Sequence, residues 1–189
     1  MKTLIINGHP NKNSYCSQLA AAYYSGAQKR NSEAHLLHLY ELHFDVSLKD
    51  GYSGNLLEPD LLRAQELITW SDHIVFVYPT WWWTMPALLK GFIDRVFVPG
   101  FAFKYESDKP LPEKLLKHKT ATLLVTMDSP KWYYRWWMKN AGHWVMKQGV
   151  LAFCGINKTK VVTIDQIRKL TPQQRNRWIE KVEAIAMQR

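Results

Sequence analysis

Three consecutive tryptophans, Trp81, Trp82 and Trp83, follow an apolar run ending at Pro79-Thr80 and precede Pro86 and an amphipathic stretch. A strand turns alternate side chains into a core and a helix buries one stripe, so three adjacent indoles cannot all be filler. A displayed indole stacks flat aromatic ligands and keeps water off them; it serves equally as a subunit contact, because aromatics are enriched at protein interfaces. A second cluster, Gly8-His9-Pro10-Asn11-Lys12-Asn13-Ser14, offers imidazole, amide and hydroxyl groups beside the free amides of a helix start, a combination that suits a phosphate. It also reads simply as a turn followed by a Ser14 cap. Neither GxGxxG nor GxxxxGK[ST] occurs, which leaves out the dinucleotide and nucleoside-triphosphate fingerprints. A third cluster is Thr126-Met127-Asp128-Ser129-Pro130, followed by an aromatic and basic run from Trp132 to Trp144. Asp128 or Ser129 is expected to cap a helix beginning at Pro130.

The surrounding pattern dictates how these clusters are held. Residues 2–7 are apolar without polar alternation, as in a strand covered on both faces, and 73–78 is β-branched and aromatic; 34–39, interrupted by His35 and His38, 120–126 and 160–164 complete the set of strands. Helical stripes fall at 15–30, 59–70, the stretch after Pro86, the segment after Pro130 (broken near Gly142), and the stretch opening at Thr171-Pro172. Strands alternating with helices define an α/β domain: an open five-stranded parallel sheet, order 2-1-3-4-5, with helices on both faces. Ligands of such sheets bind beyond the carboxyl ends of the strands, which is where all three clusters fall.

The 189 residues fit one domain, 1–189, with no linker or repeat. Two cysteines, Cys16 and Cys154, are too few for a disulfide framework and lack metal-motif spacing, so a reduced cytoplasmic setting and no metal are expected. The start, MKTLIINGHP, reads as a first strand, and no membrane insertion is expected. The net charge of +9 permits attraction to nucleic acid, anionic membrane or phosphorylated small molecules. The cations are scattered over the chain and no nucleic-acid motif occurs, so no nucleic-acid partner is expected.

The pattern Gly8-His9-Pro10-x-x-x-Ser14, with Pro79-x-x-Trp82-Trp83-x-x-Pro86-x-x-Leu89-Lys90-x-Phe92-x-Asp94-Arg95-Val96-Phe97, resembles the flavodoxin-like NAD(P)H:quinone oxidoreductases over nearly the whole chain. That family includes DT-diaphorase, the modulator-of-drug-activity enzymes and the ancillary subunits of potassium efflux systems. The resemblance implies that His9, Ser14, Tyr15 and Cys16 hold a flavin phosphate, with Cys16 standing where an asparagine is expected in mammalian members. It implies that Pro79, Thr80, Trp81, Trp82 and Trp83 line the isoalloxazine, with Thr126, Met127, Asp128 and Ser129 on its other side. Where relatives carry Thr-Thr-Gly-Gly, this third loop has Cβ atoms and a charge, and an aspartate facing the ring disfavours an anionic reduced flavin. Counting along the chain, Tyr134 matches a tyrosine that hydrogen-bonds near the flavin carbonyl, and His143 stands for the second donor. These two are the expected catalytic residues. Arg135 and Lys139 are placed to receive nicotinamide-nucleotide phosphates.

The function expected is transfer of hydride from NAD(P)H through bound FMN or FAD to a quinone-like acceptor, the two substrates alternating in a homodimer. The alternative is a flavin-binding regulatory subunit that docks on a membrane cation-efflux transporter.

Overall fold

The computed structural model describes residues 1–49, 51–54 and 56–188. In chain order these form β1 (Thr3–Asn7), α1 (Tyr15–Lys29), β2 (Ala34–His38), α2 (Pro59–Trp70), β3 (His73–Pro79), α3 (Ala87–Val96), β4 (Phe103–Lys104), β5 (Glu113–Lys114), β6 (Thr120–Thr126), α4 (Lys131–Trp136), α5 (Ala141–Trp144), β7 (Lys158–Ile164) and α6 (Pro172–Met187). Strands β2-β1-β3-β6-β7 make one parallel sheet; β4 and β5 pair antiparallel as a separate ribbon. Once that ribbon is counted, the order is the expected one.

Alternation along the central strands explains the three layers. Leu4, Ile6, Ile74, Phe76, Tyr78, Leu123 and Val125 bury on one face against α2, α3 and the segment after α5. Ile5, Val75, Val77 and Leu124 bury on the other against α1 and α6. Every residue of β1 and β3 is buried, which is why neither shows a polar alternation in sequence. Helices α1 and α6 lie so close that a Cβ at Gly26 would stand 2.3 Å from the Glu183 carbonyl oxygen. On α3, Arg95 is buried and donates to the carbonyls of Asp45 and Leu56 and to the Glu58 carboxylate, pinning the loop before α2.

Several boundaries differ from expectation. The second strand stops at His38 because Leu39 enters a 3-10 turn, and the last strand starts two residues earlier, at Lys158. The aromatic helix breaks near Gly142, as expected: Lys139 (φ 50°) and Asn140 (φ 53°) are left-handed, and the helix resumes at Ala141. From Val145 to Ala152 the backbone winds as a π-helix, which no periodicity announces.

Candidate active site

The second loop is a tight hairpin. Trp81 N donates to Thr84 O (2.9 Å) and Thr84 N to Trp81 O (3.0 Å), with Trp82 (φ 48°) and Trp83 (φ 65°) between them. Two central residues at positive φ define a type I′ turn, whose usual occupants are Asn and Gly. Each tryptophan therefore holds a conformation that costs about 1 kcal/mol or more. The turn's own hydrogen bonds leave the Trp82 and Trp83 amides unused. Trp82 is 94% exposed and Trp83 partly buried.

What holds the turn is Tyr134. Its ring stacks on Trp83 (centroids 5.9 Å, planes 14° apart), and its hydroxyl donates to Trp83 O (3.2 Å) while accepting from Gly142 N (2.8 Å) and His143 N (3.3 Å). The residue is 1% exposed. The hydroxyl expected to reach a flavin carbonyl is thus fully engaged inside the protein, and the geometry makes Tyr134 the clamp of the turn. Gly142 completes it: a Cβ there would lie 2.3 Å from Trp83 O. His143 packs edge-on to Tyr134 (4.9 Å), and its Nε2 is buried without a partner among the described residues. Burial, with some help from the Lys131 charge, pushes its pKa down to about 4, so the ring is neutral at pH 7.

Thr80, Trp82, Trp83, Met127, Asp128 and Ser129 line an open recess of about 230 Å³ at the ends of β3 and β6. The second and third clusters therefore meet, as expected. Pro79 lies buried at the end of β3, and Thr80 N donates to Thr126 O (2.7 Å). Thr126 is buried and does not line the recess, and Met127, which does, is only 3% exposed. The expected cap is overturned. Helix α4 starts at Lys131, neither Asp128 nor Ser129 caps it, and the free Lys131 amide donates instead to Asp165 (2.8 Å) from the loop after β7. Asp128 is ion-paired with Arg168 (2.8 Å) in that same loop, which offsets its charge beside the recess. Sequence reading passed over this fourth loop, although the strand-end rule applies to β7 as well as to its neighbours.

In the first cluster, Ser14 caps α1 by accepting from Ser17 N (3.1 Å). His9 Nδ1 accepts from Asn11 N (3.0 Å), so Nε2 carries the ring proton as a free donor; burial lowers the pKa and keeps the ring neutral. The His9 ring lies edge-on to Trp81 at 5.6 Å, joining the first and second clusters. Two expected ligands point elsewhere. The Tyr15 hydroxyl donates to Arg175 O (2.9 Å), and Cys16 Sγ, 2% exposed, pairs with Thr126 Oγ1 (3.3 Å). Both retain only their first-turn amides, which an α-helix leaves without intrahelical acceptors. Asn7 went unnoticed: wholly buried at the end of β1, it donates to Ser17 Oγ (3.0 Å) and accepts from His9 N (3.2 Å), setting the loop's shape. A buried polar residue closing an apolar strand was the available signal.

The arrangement fits a flavin on two counts: first-turn amides and an imidazole N–H at a helix start, and a strained aromatic turn beside a recess; His143 lines a separate recess with Lys139, Trp144 and Lys147. Among the described residues no group of His, Cys, Asp and Glu is placed to hold a metal, and no helix is long and apolar enough to cross a membrane.

Comparison with known proteins defines the class. The flavodoxin-like fold family matches residues 1–186, and this chain belongs to it. A Haemophilus influenzae protein described as an uncharacterized NAD(P)H oxidoreductase is 29% identical over 187 residues, covering 95% of this chain and 91% of its own. The rat NAD(P)H dehydrogenase [quinone] 1 is 25% identical, over 97% of this chain and 77% of its own. Among solved structures, Smu.1420 from Streptococcus mutans superposes with a TM-score of 0.85 at 31% identity, covering both chains fully. An FMN-dependent NADH-azoreductase of Bacillus anthracis, solved with FMN, shares the fold at a TM-score of 0.74 and 20% identity, covering 100% of this chain and 99% of its own.

Proposed function

We propose that this chain is a flavin-dependent NAD(P)H oxidoreductase that passes reducing equivalents to a quinone-like acceptor. The observation that carries the reading is the Trp82-Trp83 turn, held at positive φ against Tyr134 and opening on a recess between β3 and β6. Strain of this kind persists only where surrounding contacts over-determine it, and it concentrates at ligand sites. The names of the Haemophilus and rat relatives support the chemistry, and the FMN of the Bacillus azoreductase supports FMN as the flavin.

When bound, the flavin supplies the hydride chemistry. His9 Nε2–H and the amides of Tyr15 and Cys16 would hold its phosphate, and Thr80, Trp82, Trp83 and the backbone of Met127 to Ser129 would flank its ring. The protein contributes orientation and water exclusion rather than a nucleophile. Tyr134 acts as a positioning residue, through Trp83. Arg168 balances Asp128 at the edge of the recess. NAD(P)H and acceptor use the same open recess in alternation. The exposure of Trp82 supports a homodimer in which a second subunit covers this indole.

The test is the visible spectrum of the purified protein, followed by identification of whatever heat releases. Flavin absorbance that bleaches with NADPH under anaerobic conditions is expected. Colourless protein that takes up neither FMN nor FAD on titration overturns the reading.

A further inference from the structure

We propose that the tryptophan-rich surface of α4, α5 and the turn between them docks this protein on an anionic phospholipid surface. From Ser129 to Ile164 the sequence contains Lys131, Arg135, Lys139, Lys147, Lys158 and Lys160 and no acidic residue; the two aspartates that bound it are engaged, Asp128 with Arg168 and Asp165 with the Lys131 amide. The same stretch displays four indoles: Trp132, Trp136, Trp137 and Trp144 are 67%, 74%, 75% and 63% exposed. They are mixed with the cations. The Arg135 guanidinium lies 5.5 Å from the Trp136 ring centre, and Lys139, Trp144 and Lys147 line one recess of about 350 Å³. Tyr133 joins the group by meeting Trp132 edge-on at 5.9 Å and stacking with Trp137 at 6.4 Å.

So much aromatic surface left in water marks a contact, and charge decides which one. A second copy centred on this patch across a two-fold axis would set like cations against one another, so the homodimer contact proposed above is assigned to Trp82 and not to this surface. A protein partner fits less well too, because protein interfaces are depleted in lysine and three of the four cations among these indoles are lysines. An anionic leaflet satisfies both features: indoles settle at the headgroup level while lysine and arginine face phosphates. With no membrane-crossing helix among the described residues, this attachment is peripheral. Tyr133 also contacts Trp83 at 5.7 Å, so the docked surface adjoins the recess. On the reading proposed above, that would bring the site to where lipophilic acceptors dissolve; the docking itself does not depend on it.

The full chain is sedimented with vesicles of phosphatidylcholine alone or containing about one third phosphatidylglycerol, at low and at high salt. Binding at least about tenfold stronger to the anionic vesicles is expected, weakened by salt and accompanied by a blue shift of tryptophan emission. Trp136→Ser with Trp137→Ser, and separately Arg135→Glu with Lys139→Glu, should each lower that binding by about tenfold or more. Circular dichroism of each variant establishes that it is folded. No preference for anionic vesicles, or equal binding by the variants, overturns the proposal. So does a wild-type dimer that Trp136→Ser converts to monomer, which gives the surface to a second copy. Retention on polyglutamate without vesicle binding gives it to an acidic protein. Flavin absorbance read in the same samples separates this outcome from the flavin reading, since either can fail alone.

Discussion

Tyr134 shows how a residue matched by position changes role once its contacts are known. Its hydroxyl has one proton and two lone pairs, and Trp83 O, Gly142 N and His143 N take all three. Tyr134→Phe leaves the buried Gly142 amide without an acceptor, a loss on the scale of about 1–3 kcal/mol. Urea unfolding should show that loss. A residue donating only to a bound flavin would instead leave the stability of the flavin-free protein unchanged. The cysteines illustrate the same dependence on surroundings. Burial pushes the thiols of Cys16 and Cys154 up to about 12, so in the native protein neither should react with a thiol reagent at pH 8 until denaturant is added. Which side chains face the loops, as opposed to which residues form them, was not legible from one chain. Tyr15 and Cys16 stand in the right segment, but Arg175 and Thr126, far away in sequence, decide where their side chains point.

At the scale of elements, the strands were legible because both faces of β1, β3 and β6 are covered, leaving uninterrupted apolar runs. Helix α2 was legible to the residue, since Pro59 fixes its start and Leu61, Ala64 and Ile68 mark its buried stripe. The π-helix and the β4–β5 ribbon were not, since strands of two residues carry no readable alternation and π winding has no periodic signature of its own. The Trp82-Trp83 turn lies between these cases: its exposure was read from residue type, but its I′ geometry contradicts local preference and exists because Tyr134 and Gly142 impose it. That conflict yields a two-sided expectation. Trp82→Asn places a residue tolerant of left-handed backbone in the turn and gives up almost no burial, so the flavin-free protein should gain about 0.5–1 kcal/mol in urea unfolding. The same change removes an aromatic wall of the recess and should weaken flavin retention by at least about 1 kcal/mol in a titration. Stability and retention falling together would show that the Trp82 side chain braces the fold.

Over the whole molecule, three histidines near the carboxyl ends of the strands are kept neutral by burial: His9, His38 and His143, the last brought to about 4. In the unfolded chain each would bind its proton near the ordinary value of 6.5. Below that value the unfolded state holds more protons than the native one, so the stability of the fold rises with pH through this range and is lost as pH falls. Ion-paired carboxylates act lower down. Asp45, bonded to Lys49, and Glu183, bonded to Lys29, lie below their ordinary values of 3.8 and 4.5, so their contribution is lost only once pH drops beneath those. The interval from about 6.5 to about 4.5 therefore reports the histidines. Urea midpoints should decline steadily across it, and His143→Gln should flatten part of that slope while leaving the carboxylate limb in place. A His143→Gln profile parallel to the wild type throughout would mean that His143 takes up its proton in the folded protein at the same pH as in the unfolded chain. The ring would then be open to water, and burial would no longer account for its neutral state.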